Sequence, residues 1–155
     1  MSPVTVWRLV RQCFAADPFD GEGARRFGGR WSPPGLNVAY AAESRALAAL
    51  EILANVRDPR LLVLQPWVVI SAEIPGECIE RPERVPTDWR SNPPTPATQA
   101  FGAAWVQSRR SLALRVPSAV VGGEFNFLLN PAHPDFPRLA LGPSAPFLFD
   151  PRLAR

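Results

Sequence analysis

The chain has no lysine; all 17 of its basic residues are arginine. That excludes a lysine Schiff base and a phosphate-loop lysine. An arginine-only set suits planar, bidentate recognition of phosphate or carboxylate. It is also what a GC-rich genome produces, together with the 19 prolines. One histidine, two distant cysteines (Cys13 and Cys78) and no clustered carboxylates leave little to hold a metal. Two cysteines cannot build a disulfide framework, so a reducing cytoplasm is the expected compartment. No apolar run reaches the roughly 20 residues of a membrane span. The opening MSPVTVWRLVRQ lacks a basic leader and does not read as a signal peptide. The net charge of +3 is small and scattered, so direct nucleic-acid contact is not expected.

What is present suits one globular domain spanning residues 1–155. The chain is 46% hydrophobic, with five tryptophans and nine phenylalanines, enough for a real core. Thr5 to Val10 reads as a first strand, followed by a long Gly-, Pro- and Arg-rich loop from Asp17 to Gly35. Val38 to Ala41 is a short strand, and Ser44 caps a helix running to about Asp58-Pro59. Leu61 to Ile74 reads as strand interrupted near Pro66, and residues 75–98 as a proline-rich excursion. Phe101 and Trp105, one turn apart, place a second helix over Thr98 to Arg110. Leu112 to Val121 and Glu124 to Leu129 are strands, with Pro117 requiring an edge or a bend. A last strand is expected near Pro146 to Phe149. Strands and helices in irregular alternation predict an α+β fold rather than a doubly wound sheet.

Glu51 is the sharpest anomaly. It is the only charge between Ala46 and Val56, in a helix otherwise apolar on every side. Such a helix is normally buried, and a buried carboxylate needs a partner. Either Glu51 marks the one solvent-facing stripe, or it is held at the floor of a cleft. Arg30 follows Gly28-Gly29 in a loop rich in backbone N–H groups, where a guanidinium can fork onto a phosphate. Tyr40 is the only tyrosine among fifteen aromatic residues, which suggests a hydroxyl with a partner or a ring offered to a flat ligand. Asn126 interrupts the apolar strand EFNFLL. Ser118, His133 and Asp135 make a formal nucleophilic triad, but no G-x-S-x-G elbow surrounds the serine.

The segments Trp7-Arg8, GGRWSPPG at 28–35, VAYAAES at 38–44, ALAALEIL at 46–53, LRVPSAVV at 114–121 and EFNFLLNPAHPDF at 124–136 occur in this order along nearly the whole chain. Together they resemble the RES-domain family, toxins of Xre–RES toxin–antitoxin pairs. The resemblance implies a compact α+β fold similar to ADP-ribosyltransferases, with mixed and antiparallel strands and a few helices. It implies an enzyme that destroys NAD at the nicotinamide–ribose bond, by phosphorolysis or hydrolysis. NAD would be substrate, phosphate a co-substrate in the first case, and no metal or other cofactor would be needed. The family's arginine, glutamate and serine fall on Arg30, Glu51 and Ser118, and a site tyrosine on Tyr40. Arg30, Tyr40 and Glu51 would then be catalytic. Gly28, Gly29, Arg30, Tyr40, Ser118 and Asn126 would surround the substrate, Ser118 either contacting it or holding Glu51. The implied partner is an Xre-type antitoxin with a helix-turn-helix part. Two alternative readings are transfer of ADP-ribose to a macromolecule, and a non-catalytic module that binds an acidic partner through its arginines.

Overall fold

Strand β1 (Val4–Arg11) lies near the middle of the sheet in the computed structural model, which describes residues 1–155. It pairs antiparallel along its whole length with β3 (Trp67–Ile74), from Val4 opposite Ile74 to Arg11 opposite Trp67. Its other neighbour is β2 (Ala39–Ala42), which it meets only at Trp7 opposite Ala42. Strand β2 pairs with β6 (Phe125–Leu129), and β6 with β5 (Ala113–Pro117), both antiparallel. The two-residue β4 (Ile79–Glu80) runs parallel to β5. Strands β7 (Ala140–Leu141) and β8 (Ala145–Phe147) share the outer edge of β3. With four α-helices this is the expected α+β class, built on one eight-stranded, mostly antiparallel sheet.

The two faces of the sheet differ. Alternation along the strands sends Val6, Val10, Ala39, Ala41, Phe127 and Leu129 to one face, where they join a continuous core of 15 buried residues. The opposite face is divided. Helix α4 (Pro96–Ser108) and the loop carrying Trp31 cover a cluster with Trp105, Leu114, Val116 and Leu128. Helix α2 (Arg45–Asn55) covers a second cluster of Leu9, Ala42, Leu47, Ala48 and Val69. Tyr40 and Asn126 project from the sheet between them.

Local signals explain most boundaries. Ser44 caps α2, its Oγ accepting from the Leu47 amide at 3.0 Å. Helix α4 starts at Pro96, two residues earlier than the sequence pattern predicts. Thr95 caps it, and proline is tolerated at a first helical position. Pro117 is the last residue of β5, beyond the end of β4, so its missing N–H faces an open edge.

Three expectations are corrected. The loop predicted over Asp17–Gly35 contains a short helix, α1 (Glu22–Phe27), tied by Glu22 to Arg25 and Arg26. Leu61–Leu64 is a helical turn, α3, rather than the start of a strand. Asp58 accepts from the Arg60 amide, and the Asp58 and Pro59 carbonyls accept from Leu61 and Leu62, so the chain turns before Pro66 and extends only after it. Finally, α2 is not enclosed on every side. Leu47 and Ala48 are buried, but Leu50 is 40% exposed and Ala46 and Ala54 face solvent.

Helix α4 presses directly on the loop after α1. A Cβ added at Gly102 would lie 1.7 Å from the Trp31 carbonyl oxygen. Replacing Gly102 with alanine is therefore expected to cost about 1–3 kcal/mol of stability through overpacking. A urea midpoint unchanged from the natural chain would contradict this contact.

Candidate functional site

Glu51 sits half-buried on α2 where that helix faces β6 and the turn after β5. Two donors converge on one of its oxygens. Ser118 Oγ donates to Oε1 at 2.7 Å, and Asn126 Nδ2 donates to the same atom at 2.7 Å. Oε2 takes no hydrogen bond from the protein. Ser118 is itself fixed, because its Oγ accepts from the Val120 and Val121 amides at 3.1 and 3.0 Å. The carboxylate is thus neither a stray surface charge nor a fully enclosed one. It is clamped on one side and open on the other.

Asn126 has a defined orientation. A carboxylate accepts, so the amide nitrogen must face Glu51. The amide oxygen Oδ1 is left buried with no hydrogen-bond partner. Such an acceptor costs stability unless something else supplies a donor.

Tyr40 projects from the same face. Ala42 lies opposite Asn126 and Tyr40 opposite Leu128, so the tyrosine and the asparagine are diagonal neighbours, about 7 Å apart in ordinary sheet geometry. Its hydroxyl shares a 2.7 Å hydrogen bond with Ser32 Oγ and accepts from the Trp31 amide at 3.3 Å. Burial pushes the phenol up to about 12, against the smaller opposing effects of the Ser32 and Trp31 hydrogen bonds. It is a neutral phenol at physiological pH and cannot serve as a base.

The glycines before Arg30 have structural reasons. Gly28 has φ +70°, a conformation that strains other residues, and a Cβ at Gly29 would lie 2.6 Å from the Tyr40 hydroxyl. Their amides are already engaged: Gly28 donates to the Ala24 carbonyl and Gly29 to that of Ser32. The expectation that these N–H groups stand ready for a ligand is therefore corrected. Arg30 reaches away from this loop. Its Nη1 donates to the Trp89 and Ser91 carbonyls at 2.9 and 2.6 Å, while Nε and Nη2 make no hydrogen bond to the protein. Arg30, Tyr40 and Glu51 do not touch one another through hydrogen bonds; they line one side of the sheet.

A family model described as the RES domain matches residues 5–150. The chain belongs to the RES-domain family. It is 35% identical over 156 residues to the Prs ADP-ribosylating toxin of Sphingobium sp. (strain YBL2), covering 96% of each protein. It is 38% identical over 150 residues to Toxin Res of Yersinia enterocolitica, covering 96% of this chain and 98% of that one. Among solved structures it is similar to the toxin–antitoxin complex MbcT–MbcA of M. tuberculosis. That match has a TM-score of 0.76 and 22% identity over 94% of this chain and 85% of the matched one, and it shows a shared fold.

The formal Ser–His–Asp triad is not assembled in this RES domain. Ser118 is committed to Glu51. His133 Nδ1 accepts from the Asp135 amide at 3.0 Å, so Nε2 carries the proton and donates to the Arg109 carbonyl, also at 3.0 Å. The imidazole thereby closes the C-terminal end of α4, where Arg109 adopts a left-handed conformation. Two concavities of about 470 and 340 Å³ lie elsewhere, the first against Leu62 and Phe147, the second against Glu73 and Arg138. Neither includes a predicted site residue.

Three supporting residues escaped the sequence reading. Arg8 is half-buried and donates to the Pro18 and Tyr40 carbonyls at 2.6 and 2.7 Å. Strands β1 and β2 part beyond Trp7, and the Arg8 guanidinium takes the carbonyl that the ladder leaves open. Burial lowers its pKa, and the nearby Asp20 charge opposes that. Its signal was a charge in the inward phase of β1, between Val6 and Val10. Ser32 holds the Tyr40 hydroxyl, and Gln99 Nε2 on α4 donates to the Gly29 carbonyl at 3.0 Å.

The single tyrosine gives a direct test. Its phenolate absorbance is expected to titrate with a midpoint near 12 in the folded chain, about two units above a free phenol. Because the folded value is the higher one, this group's contribution to stability is complete below about pH 10 and lost as pH rises through about 12. Urea melts across that range should show a larger loss in the natural chain than in Tyr40→Phe, where the buried Cys78 thiol, also raised, still contributes.

Proposed function

We propose that this RES domain is a toxin that consumes NAD by breaking its nicotinamide–ribose bond. The observation that carries the reading is the Glu51 carboxylate, clamped at Oε1 and free at Oε2. Breaking an N-glycosidic bond develops positive charge on the ribose, and a fixed carboxylate stabilises that charge more than it stabilises the ground state. Ser118 and Asn126 position Glu51. The Tyr40 ring offers a face to the flat, cationic nicotinamide. Nε and Nη2 of Arg30 suit the pyrophosphate. Nicotinamide leaves as a neutral pyridine, so no metal or further cofactor is called on. Water as nucleophile gives ADP-ribose; inorganic phosphate gives its 1-phosphate.

The name of the Sphingobium relative, an ADP-ribosylating toxin, favours a second reading, in which the same site transfers ADP-ribose to a macromolecule. Mass spectrometry of labelled NAD incubated with the chain, with and without phosphate, separates the two. Free ADP-ribose or its phosphate is expected; label kept on a macromolecule would establish transfer instead. Both readings fail if the chain, freed of any bound antitoxin, leaves NAD untouched.

Glu51→Gln is expected to retain the fold, because a glutamine oxygen can still accept from Ser118 and Asn126. It should lower NAD consumption by about 10²–10³-fold, the usual loss for one preorganised electrostatic partner. Normal turnover with an unchanged melting curve would remove Glu51 from the chemistry. Expression of the natural chain alone should arrest growth, and the Gln variant should not. The partner we propose is an Xre-type antitoxin whose helix-turn-helix part carries any DNA contact while another part covers this cleft. That arrangement suits a chain with no basic helix of its own, acting in the cytoplasm.

A further inference from the structure

The proline-rich excursion at 75–98 has no place yet in the chemistry. Its middle part is laid across the divided face of the sheet. Trp89 stacks on the buried Trp31, with ring centroids 6.1 Å apart and planes inclined by 20°. Trp89 also packs on the cluster to which Tyr40 contributes. Arg30 grips the backbone on both sides of Arg90, through the Trp89 and Ser91 carbonyls. The residue between those two anchors is therefore fixed in the backbone and free in the side chain.

Arg90 is exposed, and it has no carboxylate or carbonyl partner in the protein. Its guanidinium carbon lies 5.7 Å from the centroid of the Trp89 ring. Its Nη2 reaches the opposite wall, where a Cβ added at Gly122 would be 3.3 Å away. Gly122 belongs to the turn that Ser118 organises, and Ser118 holds Glu51. Arg90 thus extends from the Tyr40 side of the face toward the Glu51 side. A guanidinium without a counter-charge, on an anchored backbone, is suited to an anion that arrives with the substrate.

We propose that Arg90 binds a phosphate group during the reaction. This rests on the reading of the site as NAD-consuming. The phosphate has two sources, the pyrophosphate of the dinucleotide and free inorganic phosphate acting as nucleophile. Arg30 is then also a positioning residue, since it fixes the backbone that presents Arg90.

The test compares the natural chain with Arg90→Gln on two substrates sharing one scissile bond, NAD and nicotinamide riboside, the latter lacking phosphate. If the pyrophosphate is bound, the variant raises KM for NAD by about 10-fold or more, the usual worth of a hydrogen bond to a charged group. Its kcat/KM on the riboside stays unchanged. If free phosphate is bound, KM for NAD holds and the acceleration by inorganic phosphate is lost. Arg90→Lys should recover part of either effect. Equal losses on NAD and riboside with no change in phosphate dependence, or no loss at all, would overturn the assignment.

ADP binding, followed by tryptophan fluorescence through Trp89 beneath the guanidinium, separates the two claims. Arg90-dependent ADP binding by a chain that never cleaves NAD would sink the activity and keep the phosphate site. NAD cleavage indifferent to Arg90 would do the reverse. A natural chain that neither binds ADP nor cleaves NAD ends both.

Discussion

The site depends on two hydrogen bonds that end on the same oxygen of Glu51. Each donor comes from a different part of the sheet region, Ser118 from the turn after β5 and Asn126 from β6. Together they fix a carboxylate on a helix that is otherwise apolar from Ala46 to Ala54. Both donors are neutral side chains, so no counter-charge hydrogen-bonds to the carboxylate. Because both bonds fall on Oε1, the second oxygen keeps its full capacity to meet positive charge.

The surrounding parts are arranged by close backbone contacts rather than by charge pairs. Tyr40 fits because Gly29 has no side chain, and the Gly29–Ser32 loop stays in place because α4 carries a glycine where it meets Trp31. Gln99 and Ser32 add hydrogen bonds to this stack. Arg8 secures the carbonyl of Tyr40 from the other side of the strand. The result is a tyrosine held from three directions.

Ser118 was assigned to the site only through the family resemblance, whereas Glu51, Tyr40 and Arg30 stood out as candidates because each breaks a local pattern. One is a charge in an apolar helix, one a lone hydroxyl among aromatics, one a guanidinium beside paired glycines. The Ser44 cap was readable for the same local reason, whereas the Thr95 cap was missed. Long-range pairing was not readable from local pattern: the resemblance offered Ser118 as one possible holder of Glu51, and nothing pointed to Asn126 as the other. The partners of Glu51 lie 67 and 75 residues further along the chain, and no spacing rule links them. The purpose of Gly28 and Gly29 was misjudged because a glycine pair looks alike whether it makes room for a ligand or for a tyrosine. The helical turn at Leu61–Leu64 was missed because its composition is that of a strand. Only the Asp58-Pro59 pair before it, which starts the turn, distinguishes the two.

The alternation of the strands has a consequence for how such a protein can change. In β2, Ala39 and Ala41 belong to the unbroken core, and Tyr40 between them packs on the divided opposite face. In β6 the same division separates Phe127 and Leu129 from Asn126. Neighbouring codons therefore encode residues of two different layers and meet different constraints. Drift at Tyr40 or Asn126 can alter the divided face while the opposite layer keeps the molecule folded, so one side of the sheet can vary without rebuilding the other.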